Sequence, residues 1–519
     1  MGQSFHIENF GCRAARADGE AVADRLRAAG LTERQPALAD VVVVNTCSVT
    51  AEADRAARAF IRRARRLNPE ARIVATGCYA QRAPQELAAL PGVAAVVGNS
   101  HKALAPDLIL QLAQPAPAIA RGFVKTPNAA AGQHPVEGAA FSPYIDSAQS
   151  DWASAPAACP LPVEPALVSV QSILAGNQTL ILADDRFAHS FLEEAQLHPG
   201  TQTRPNLKIQ EGCGNRCSFC VIPQTRGSSR SLSASSVLRQ VQGFVAAGGH
   251  ELVLSGINLG RWGRDLEPTP DAPRPTLSWL VRQILSQTGL SRLRLSSIEP
   301  MDWDAELIAL LAEFGGTQLC RHAHLPLQSG SDAVLRRMHR RYRPWHYTEK
   351  VNALVRAAGP ELTLGADVMA GFPGETDREF EETLQLIRAL PFGYLHLFPF
   401  SPRPGTRAWA LHAERPVPPA MVEERMAELR RLAAEKSRAH REQFRGCQLD
   451  AITLHTPQAL AGMARTAAIT QNFLPVEIAA PLAANRLLRV HVTGVNAEGA
   501  LVASPAEPVS PQPTLLPTL

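Results

Sequence analysis

Short apolar runs alternate with amphipathic stretches along most of the chain. In residues 1–110 three strand-like runs each lead into a cysteine: His6–Phe10 before Gly11-Cys12, Val41–Val44 before Asn45-Thr46-Cys47, and Ile73–Ala75 before Thr76-Gly77-Cys78. Helical stretches around Glu20–Ala29 and Ala53–Leu67 separate them, and this alternation predicts a parallel α/β sheet. Ligands of such sheets sit beyond the carboxyl ends of the strands. The three cysteines then converge on one edge. Three buried core cysteines are the alternative, but the repeated placement, twice after a glycine, favours a thiolate site.

Residues 201–440 carry six further strand candidates: Leu207–Gln210, Glu251–Leu254, Leu293–Ser297, His322–Leu327, Leu362–Val368 and Tyr394–Phe400. Helical stretches such as Ala234–Ala247 and Arg378–Ala389 follow them. Repeated βα units predict a barrel with its site at the carboxyl ends, and six units leave it incomplete. The later strand exits carry polar or glycine residues, namely Ser255-Gly256, Ser297 with Glu299-Pro300, Gln328-Ser329-Gly330, Asp367 and Ser401-Pro402. Val422–Phe444 reads as a long charged helix, and 441–506 as a small β-barrel of alternating apolar and polar positions. Between the first two domains, 111–200 is an insertion and linker. Its part up to 180 is rich in Ala, Pro, Gly, Ser and Gln with weak periodicity. Cys159 there receives no role. Leu180–Leu197 reads as a return to order, with Phe187, Phe191 and Leu192 at helical spacing. Residues 507–519 are a Pro-rich tail.

Length predicts several domains. With 52 Lys+Arg against 48 Asp+Glu, global charge does not point to nucleic acid. Two local runs do raise that question: Arg55, Arg58, Arg62, Arg63, Arg65 and Arg66 on one helix, and Arg336, Arg337, Arg340, Arg341 and Arg343 after the fourth barrel strand. Each is either a solvated helix face or a contact with RNA phosphates. Aromatics at 5% argue against base stacking on many platforms. Nine cysteines form an odd set without a dense disulfide pattern, and no run is long enough to span a membrane. A reducing, cytoplasmic setting is expected, where clustered cysteines bind metal.

Cys213-Gly214-Asn215-Arg216-Cys217-Ser218-Phe219-Cys220 places three thiols at C-x3-C-x2-C after a short strand. Such a loop can wrap one compact soft metal centre. An iron–sulfur cubane normally takes four thiolates, so three leave one iron open. Zinc would need a fourth ligand at short spacing, and none follows within the loop.

This loop, with Phe219 before its last cysteine, resembles the signature of the radical S-adenosylmethionine (SAM) enzymes. Leu207–Pro223 with Arg226-Gly227 resembles the methylthiotransferases among them, as do Val44–Thr50, Thr76–Gln81, Ala370–Thr376 and Pro399–Thr406. The resemblance implies two [4Fe-4S] clusters, one on Cys213, Cys217 and Cys220 that chelates and cleaves SAM to a 5′-deoxyadenosyl radical, and an auxiliary one on Cys12, Cys47 and Cys78. One SAM methylates a cluster sulfur, a second generates the radical, and a methylthio group replaces hydrogen on an unactivated carbon. After Cys12 the family usually carries an Asn where this chain has Arg13-Ala14-Ala15-Arg16. Within Gly248-Gly249-His250-Glu251, the resemblance assigns Glu251 to the SAM amine. It places Ser297 and Glu299 near the SAM ribose, and Gln328 and Asp367 as further cofactor contacts. The substrate candidates are Arg261, Arg264 and Arg403. Asn472–Val476 and Val492–Val495 resemble the RNA-binding TRAM domain of these enzymes. Leu254–Gly260 and Trp262–Leu266 resemble the branch that modifies N6-threonylcarbamoyladenosine in tRNA. The branches acting on N6-isopentenyladenosine or on a ribosomal-protein aspartate are alternatives. So is a non-catalytic iron–sulfur protein that binds RNA or carries electrons without cleaving SAM. The partners implied are tRNA, a flavodoxin- or ferredoxin-type reductant and a sulfur donor, with no membrane.

Overall fold

The computed structural model describes residues 3–114, 179–187, Leu192, 197–199, 203–268 and 273–508. The composition-biased stretch from 115 to 178 with Cys159, Phe191, and the tail beyond 508 lie outside the described residues.

The first unit is a six-stranded parallel sheet. Its strands are β1 (Ser4–Asn9), β2 (Thr32–Glu33), β3 (Val41–Thr46), β4 (Arg72–Gly77), β5 (Val93–Gly98) and β6 (Leu180–Leu182), in the order β2-β1-β3-β4-β5-β6. Every residue of β3 is buried, as expected of a parallel strand covered on both faces. Helices α1 (Arg13–Ala28) and α5 (Ala105–Ala113) cover one face through Leu26, Leu108 and Ile109 packed on Phe5, Val41 and Val43. Helices α2 (Ala51–Leu67), α3 (Cys78–Arg82) and α4 (Pro84–Ala88) cover the other through Ile61, Tyr79 and Leu87 on Val42 and Val44. The start of α2 is set by Thr50, whose hydroxyl accepts from the Ala53 N–H at 3.2 Å. Glu52 and Asp54 lie in its first turn and Arg65 and Arg66 in its last, matching the helix dipole.

Two expectations change here. Helix α1 begins directly after Cys12, seven residues before the expected start at Glu20. Its small buried face, Ala14, Ala15 and Ala17, carries no strong apolar period to reveal it. Leu180–Leu182 is a strand rather than a helical return to order. It pairs parallel with β5, Ala95 against Leu180, and so belongs to the first sheet, where it satisfies backbone groups that the edge of β5 would leave unpaired.

The central unit has six parallel strands: β7 (Asn206–Glu211), β9 (Glu251–Gly256), β10 (Arg292–Leu295), β11 (His322–His324), β12 (Thr363–Ala370) and β13 (Phe392–Pro399). The two-residue β8 (Arg230–Ser231) pairs antiparallel with β7. The sheets run β10-β9-β7-β8 and β11-β12-β13. Backbone bonds from Cys320 to Leu293 (2.9 Å) and from Ile298 to His324 (3.0 Å) join them into one open arch. Helices 234–246, 277–287, 305–314, 344–358 and 377–389 alternate with these strands. Their apolar faces and the strands form one core that includes Leu254, Ile284, Leu310, Leu354 and Ile387.

The long helix Pro419–Glu442 packs along β13 and leads into a closed barrel, β14 (Gln448–Thr453), β15 (Thr466–Thr470), β16 (Pro475–Ile478), β17 (Leu487–Val495) and β18 (Leu501–Pro508). Leu488, Val490 and Val492 alternate inward along β17. The turn between β15 and β16 docks this barrel on the central unit. Gln471 accepts from the Arg321 N–H at 2.9 Å, and Asn472 donates to the Glu361 carbonyl at 3.0 Å. Phe473 lies 4.5 Å from the His322 ring, with the Arg13 and Arg294 guanidiniums over its face. The three units therefore meet at this side chain.

Candidate iron–sulfur active site

The first thiol triad rides the loop leaving β7. Gly212 sits at φ +70°, and a Cβ there would lie 1.9 Å from the Ser228 carbonyl oxygen, so only glycine permits the turn. Buried Gln210 braces the loop by donating to the carbonyls of Glu211 (2.9 Å) and Gly212 (2.8 Å), and it accepts from the Asn258 N–H at 2.7 Å. Donors surround the sulfurs. The Asn215 N–H and the Asn258 amide reach Cys213 Sγ at 3.4 and 3.5 Å, and Arg340 Nη1 reaches Cys217 Sγ at 3.3 Å. Arg340 Nη2 also holds Glu299 at 2.5 Å. Burial raises the Cys213 thiol and pushes Cys220 up to about 12.

The second triad is assembled from three separate strand exits. Cys12 caps α1, Cys47 follows β3, and Cys78 opens α3 directly after β4. Gly11, at φ +109°, lies so close that a Cβ would sit 2.5 Å from Cys47 Cβ and 2.7 Å from its Sγ. Burial pushes the Cys47 thiol up to about 12, and its neighbours Cys78 and Cys12 push the same way, so the three thiols act on one another. The expected convergence on one sheet edge is what the fold produces. In the turn after Cys12, the Ala15 carbonyl accepts from the Asn45 side chain at 2.5 Å. The sulfurs again meet donors: the Val49 N–H on Cys47 at 3.5 Å, and on Cys78 the Asn99 amide at 3.5 Å and Arg226 Nε at 3.2 Å.

Both donor sets suit thiolates bound to a cluster, because N–H···S bonds and nearby cations favour the charged ligand. Each triad supplies three sulfurs with no fourth cysteine beside it among the described residues, as suits an open-iron cubane.

The remaining residues divide. Glu299 and Ser297 follow β10, and Glu299 is linked to the first triad through Arg340, which also reaches Cys217. Gln328, at φ +65°, is fixed at the exit of β11 by backbone bonds to Asp367 and Met369. Asp367 lies within β12 rather than at an exit, and one carboxylate oxygen sits 3.2 Å from both His324 Nε2 and His396 Nδ1. Burial opposes its ionisation, but the two histidines hold it well below the usual carboxylate range.

Glu251 must be reassigned. It opens β9 at the end opposite the thiols and is fully buried among Arg294 (2.9 Å), Arg204 (3.2 Å) and Arg292 (3.4 Å). Burial would raise its carboxyl, but the three guanidiniums overcome this and hold it at about 2. It is a structural anion, not a SAM contact.

Arg403 is likewise internal. It is 4% exposed and donates to Asp54 at 2.7 Å, clasping α2 to the loop after β13. Arg82 reaches the same carboxylate at 2.9 Å. Arg264 and Arg261 do lie together around buried Asp302, at 2.9 and 3.8 Å, with Arg341 at 3.5 Å. Nε of Arg261 is buried and makes no hydrogen bond.

Every arginine of the basic run after β11 has a carboxylate partner: Arg336 and Arg343 pair with Asp332, Arg337 with Glu379, Arg340 with Glu299 and Arg341 with Asp302, although Arg336 and Arg341 remain exposed. On α2, by contrast, Arg55, Arg62, Arg63 and Arg66 are exposed and make no ion pair with any described residue. Arg226, Arg340, Asn99, Asn258, His324 and His396 were not singled out as site residues. Arg226 and Asn258 stood inside quoted motifs, Arg340 in a basic run, and His324 and His396 within strand candidates, whereas nothing local marked Asn99.

The open six-strand arch and its thiol loop define a radical SAM enzyme, and the sheet-edge triad adds an auxiliary iron–sulfur site. Comparison with known proteins agrees. Residues 4–98 match the uncharacterized protein family UPF0004, and residues 207–387 match the radical SAM superfamily. The chain is 34% identical to the threonylcarbamoyladenosine tRNA methylthiotransferase MtaB of Bacillus subtilis, over 78% of this chain and 74% of that one. It is 30% identical to MtaB of Aquifex aeolicus, over 93% and 98%. A tRNA-2-methylthio-N(6)-dimethylallyladenosine synthase of Lawsonia intracellularis is 31% identical over 78% and 77%. Among solved structures, the radical SAM methyltransferase TsrM of Kitasatospora setae shares the fold, with a TM-score of 0.50 at 15% identity, over 80% of this chain and 78% of that one. The chain belongs to the MtaB family of methylthiotransferases. Two [4Fe-4S] clusters and SAM are its cofactors. Among the described residues no helix is long and apolar enough to cross a membrane.

Proposed function

We propose that this chain converts N6-threonylcarbamoyladenosine, next to the anticodon in tRNA, to its 2-methylthio derivative. The observation that carries this reading is the pair of donor-lined thiol triads within one MtaB-like chain. Cys213, Cys217 and Cys220 hold the cluster that binds SAM, and Cys12, Cys47 and Cys78 hold the auxiliary cluster. When bound, these groups supply the electron for SAM cleavage and the sulfur. Glu299, oriented by Arg340, and Ser297 and Gln328 at neighbouring strand exits line the cofactor side.

The threonyl carboxylate distinguishes this substrate from a prenylated one, and burying it without a cation would be costly. Arg261, Arg264 and Arg341 place three positive charges on the single carboxylate of Asp302, leaving two in excess. Arg261, with its unbonded Nε, is the residue that forks onto the substrate carboxylate. The exposed arginines of α2 contact the tRNA backbone. A flavodoxin- or ferredoxin-type protein supplies electrons, a separate donor restores the sulfur, and the reaction takes place in the cytoplasm.

The test is nucleoside mass spectrometry of tRNA from a strain lacking the activity and complemented with this chain. The methylthiolated threonylcarbamoyl nucleoside is expected. Recovery of only the methylthio-isopentenyl nucleoside would assign the chain to the prenyl branch. A mass gain on a ribosomal protein, with neither nucleoside, would assign it to the third. Failure of the anaerobically reconstituted protein to form 5′-deoxyadenosine from SAM would leave only a non-catalytic role.

A further inference from the structure

Arg226 belongs to the central unit, six residues after Cys220, yet its side chain lies against the other unit's thiols. It is 1% exposed. Nε donates to Cys78 Sγ at 3.2 Å, and Nη1 is shared by Asp18 (2.9 Å) and Glu211 (2.8 Å). Nη2 is buried without any hydrogen-bond partner. A buried guanidinium N–H with no partner is costly, and here it belongs to a group already bonded to Cys78. The charge also acts on Cys12 and Cys47, so all three thiols feel it.

The same guanidinium is tied to the core loop, because the Cys213 N–H donates to the carbonyl of Gly227, the next residue, at 3.1 Å. Around it, Lys102 and Lys208 also pair with Asp18 and Glu211. Three cations, Arg226, Lys102 and Lys208, meet two carboxylates, so the buried knot carries one surplus positive charge. Arg340 at the other triad differs, since Glu299 balances it one to one. Cluster potentials follow net charge, burial and hydrogen bonds to sulfur, and a nearby cation favours the more negative, reduced form.

Resting on the two-cluster reading above, we propose that Arg226 sets the redox poise of the auxiliary cluster, its charge and N–H groups raising that cluster's reduction potential. It is a tuning residue that acts through the ligands, not a group that touches substrate.

The full-length chain carrying Cys213→Ala, Cys217→Ala and Cys220→Ala, reconstituted anaerobically, isolates the auxiliary cluster. A potentiometric titration followed by electron paramagnetic resonance then reads its midpoint, with iron content measured alongside. In this background Arg226→Gln should shift the reduced-to-oxidised ratio at fixed potential at least tenfold toward oxidised, about 59 mV for one electron. Arg226→Lys, which keeps the charge, should stay within about threefold of its parent. An Arg226→Gln midpoint equal to the parent's, with iron retained, would overturn the proposal, as would equally low midpoints for Gln and Lys. If Arg226→Gln does not hold iron, Asp18→Asn decides: removing a counter-charge must raise the midpoint, and an unchanged or lower value refutes the assignment. Absence of iron from the parent itself would overturn the two-cluster reading and this proposal with it.

Discussion

The two thiol triads each bring three sulfurs together, with opposite architectures. One is confined to eight residues of a single loop, braced locally by Gly212 and Gln210. The other gathers cysteines more than thirty residues apart and exists only while three parallel strands hold register. Yet both end in similar surroundings, with a backbone N–H, an asparagine amide and one buried arginine on sulfur. A local triad depends on loop geometry, whereas a distributed one depends on the whole sheet. The second should therefore be the more easily lost.

The largest effect separates their roles. Replacing Cys213, Cys217 and Cys220 together by Ala should abolish 5′-deoxyadenosine formation. It should leave about four of about eight irons per chain, measured by iron assay after anaerobic reconstitution. Loss of all iron would show that the triads are not independent. Next, Cys47→Ala should keep SAM cleavage and lose the methylthiolated nucleoside. Full product from that variant would refute the auxiliary assignment.

Backbone changes then sharpen the contrast. Gly11→Ala forces a side chain into positive φ and onto Cys47, at a cost of about 1–2 kcal/mol for the conformation alone. Its iron content should fall toward half while SAM cleavage persists, and retention of full iron would mean that the sheet edge can yield. The smallest effect concerns the two arginine runs. Arg55→Glu with Arg62→Glu and Arg66→Glu should weaken tRNA binding and flatten its dependence on salt by roughly two to three in log–log slope. SAM cleavage without tRNA should be unchanged. Arg337→Ala should instead lower thermal stability with little change in that slope, because Arg337 is committed to Glu379. Equal slopes for both variants would remove α2 from the RNA surface.

Those runs also show where sequence reading stops. Six arginines on α2 and five after β11 look alike as strings, and both admit a solvated or an RNA-contacting face. Only packing shows that Arg337, Arg340 and Arg341 of the second run are partnered by Glu379, Glu299 and Asp302, acids brought to them by folding. Glu251 was misplaced for a related reason. The glycine-rich approach was visible, but not which end of β9 it marks, nor the three arginines that bury the carboxylate. Arg403 stood in a matching motif, while its partner Asp54 lies 349 residues away.

By itself the sequence determined the parallel sheet, the open arch of six strands, the closing barrel, both cysteine triads and the family. Each of these is written in local periodicity or in residues beside a strand end. Tertiary structure alone decided which charges are spent inside, that Leu180–Leu182 joins the first sheet, that Phe473 is where three units meet, and that Arg226 reaches from one triad's loop onto the other's sulfur. These depend on pairs far apart in the chain, whose energies arise only when folding removes water from between them.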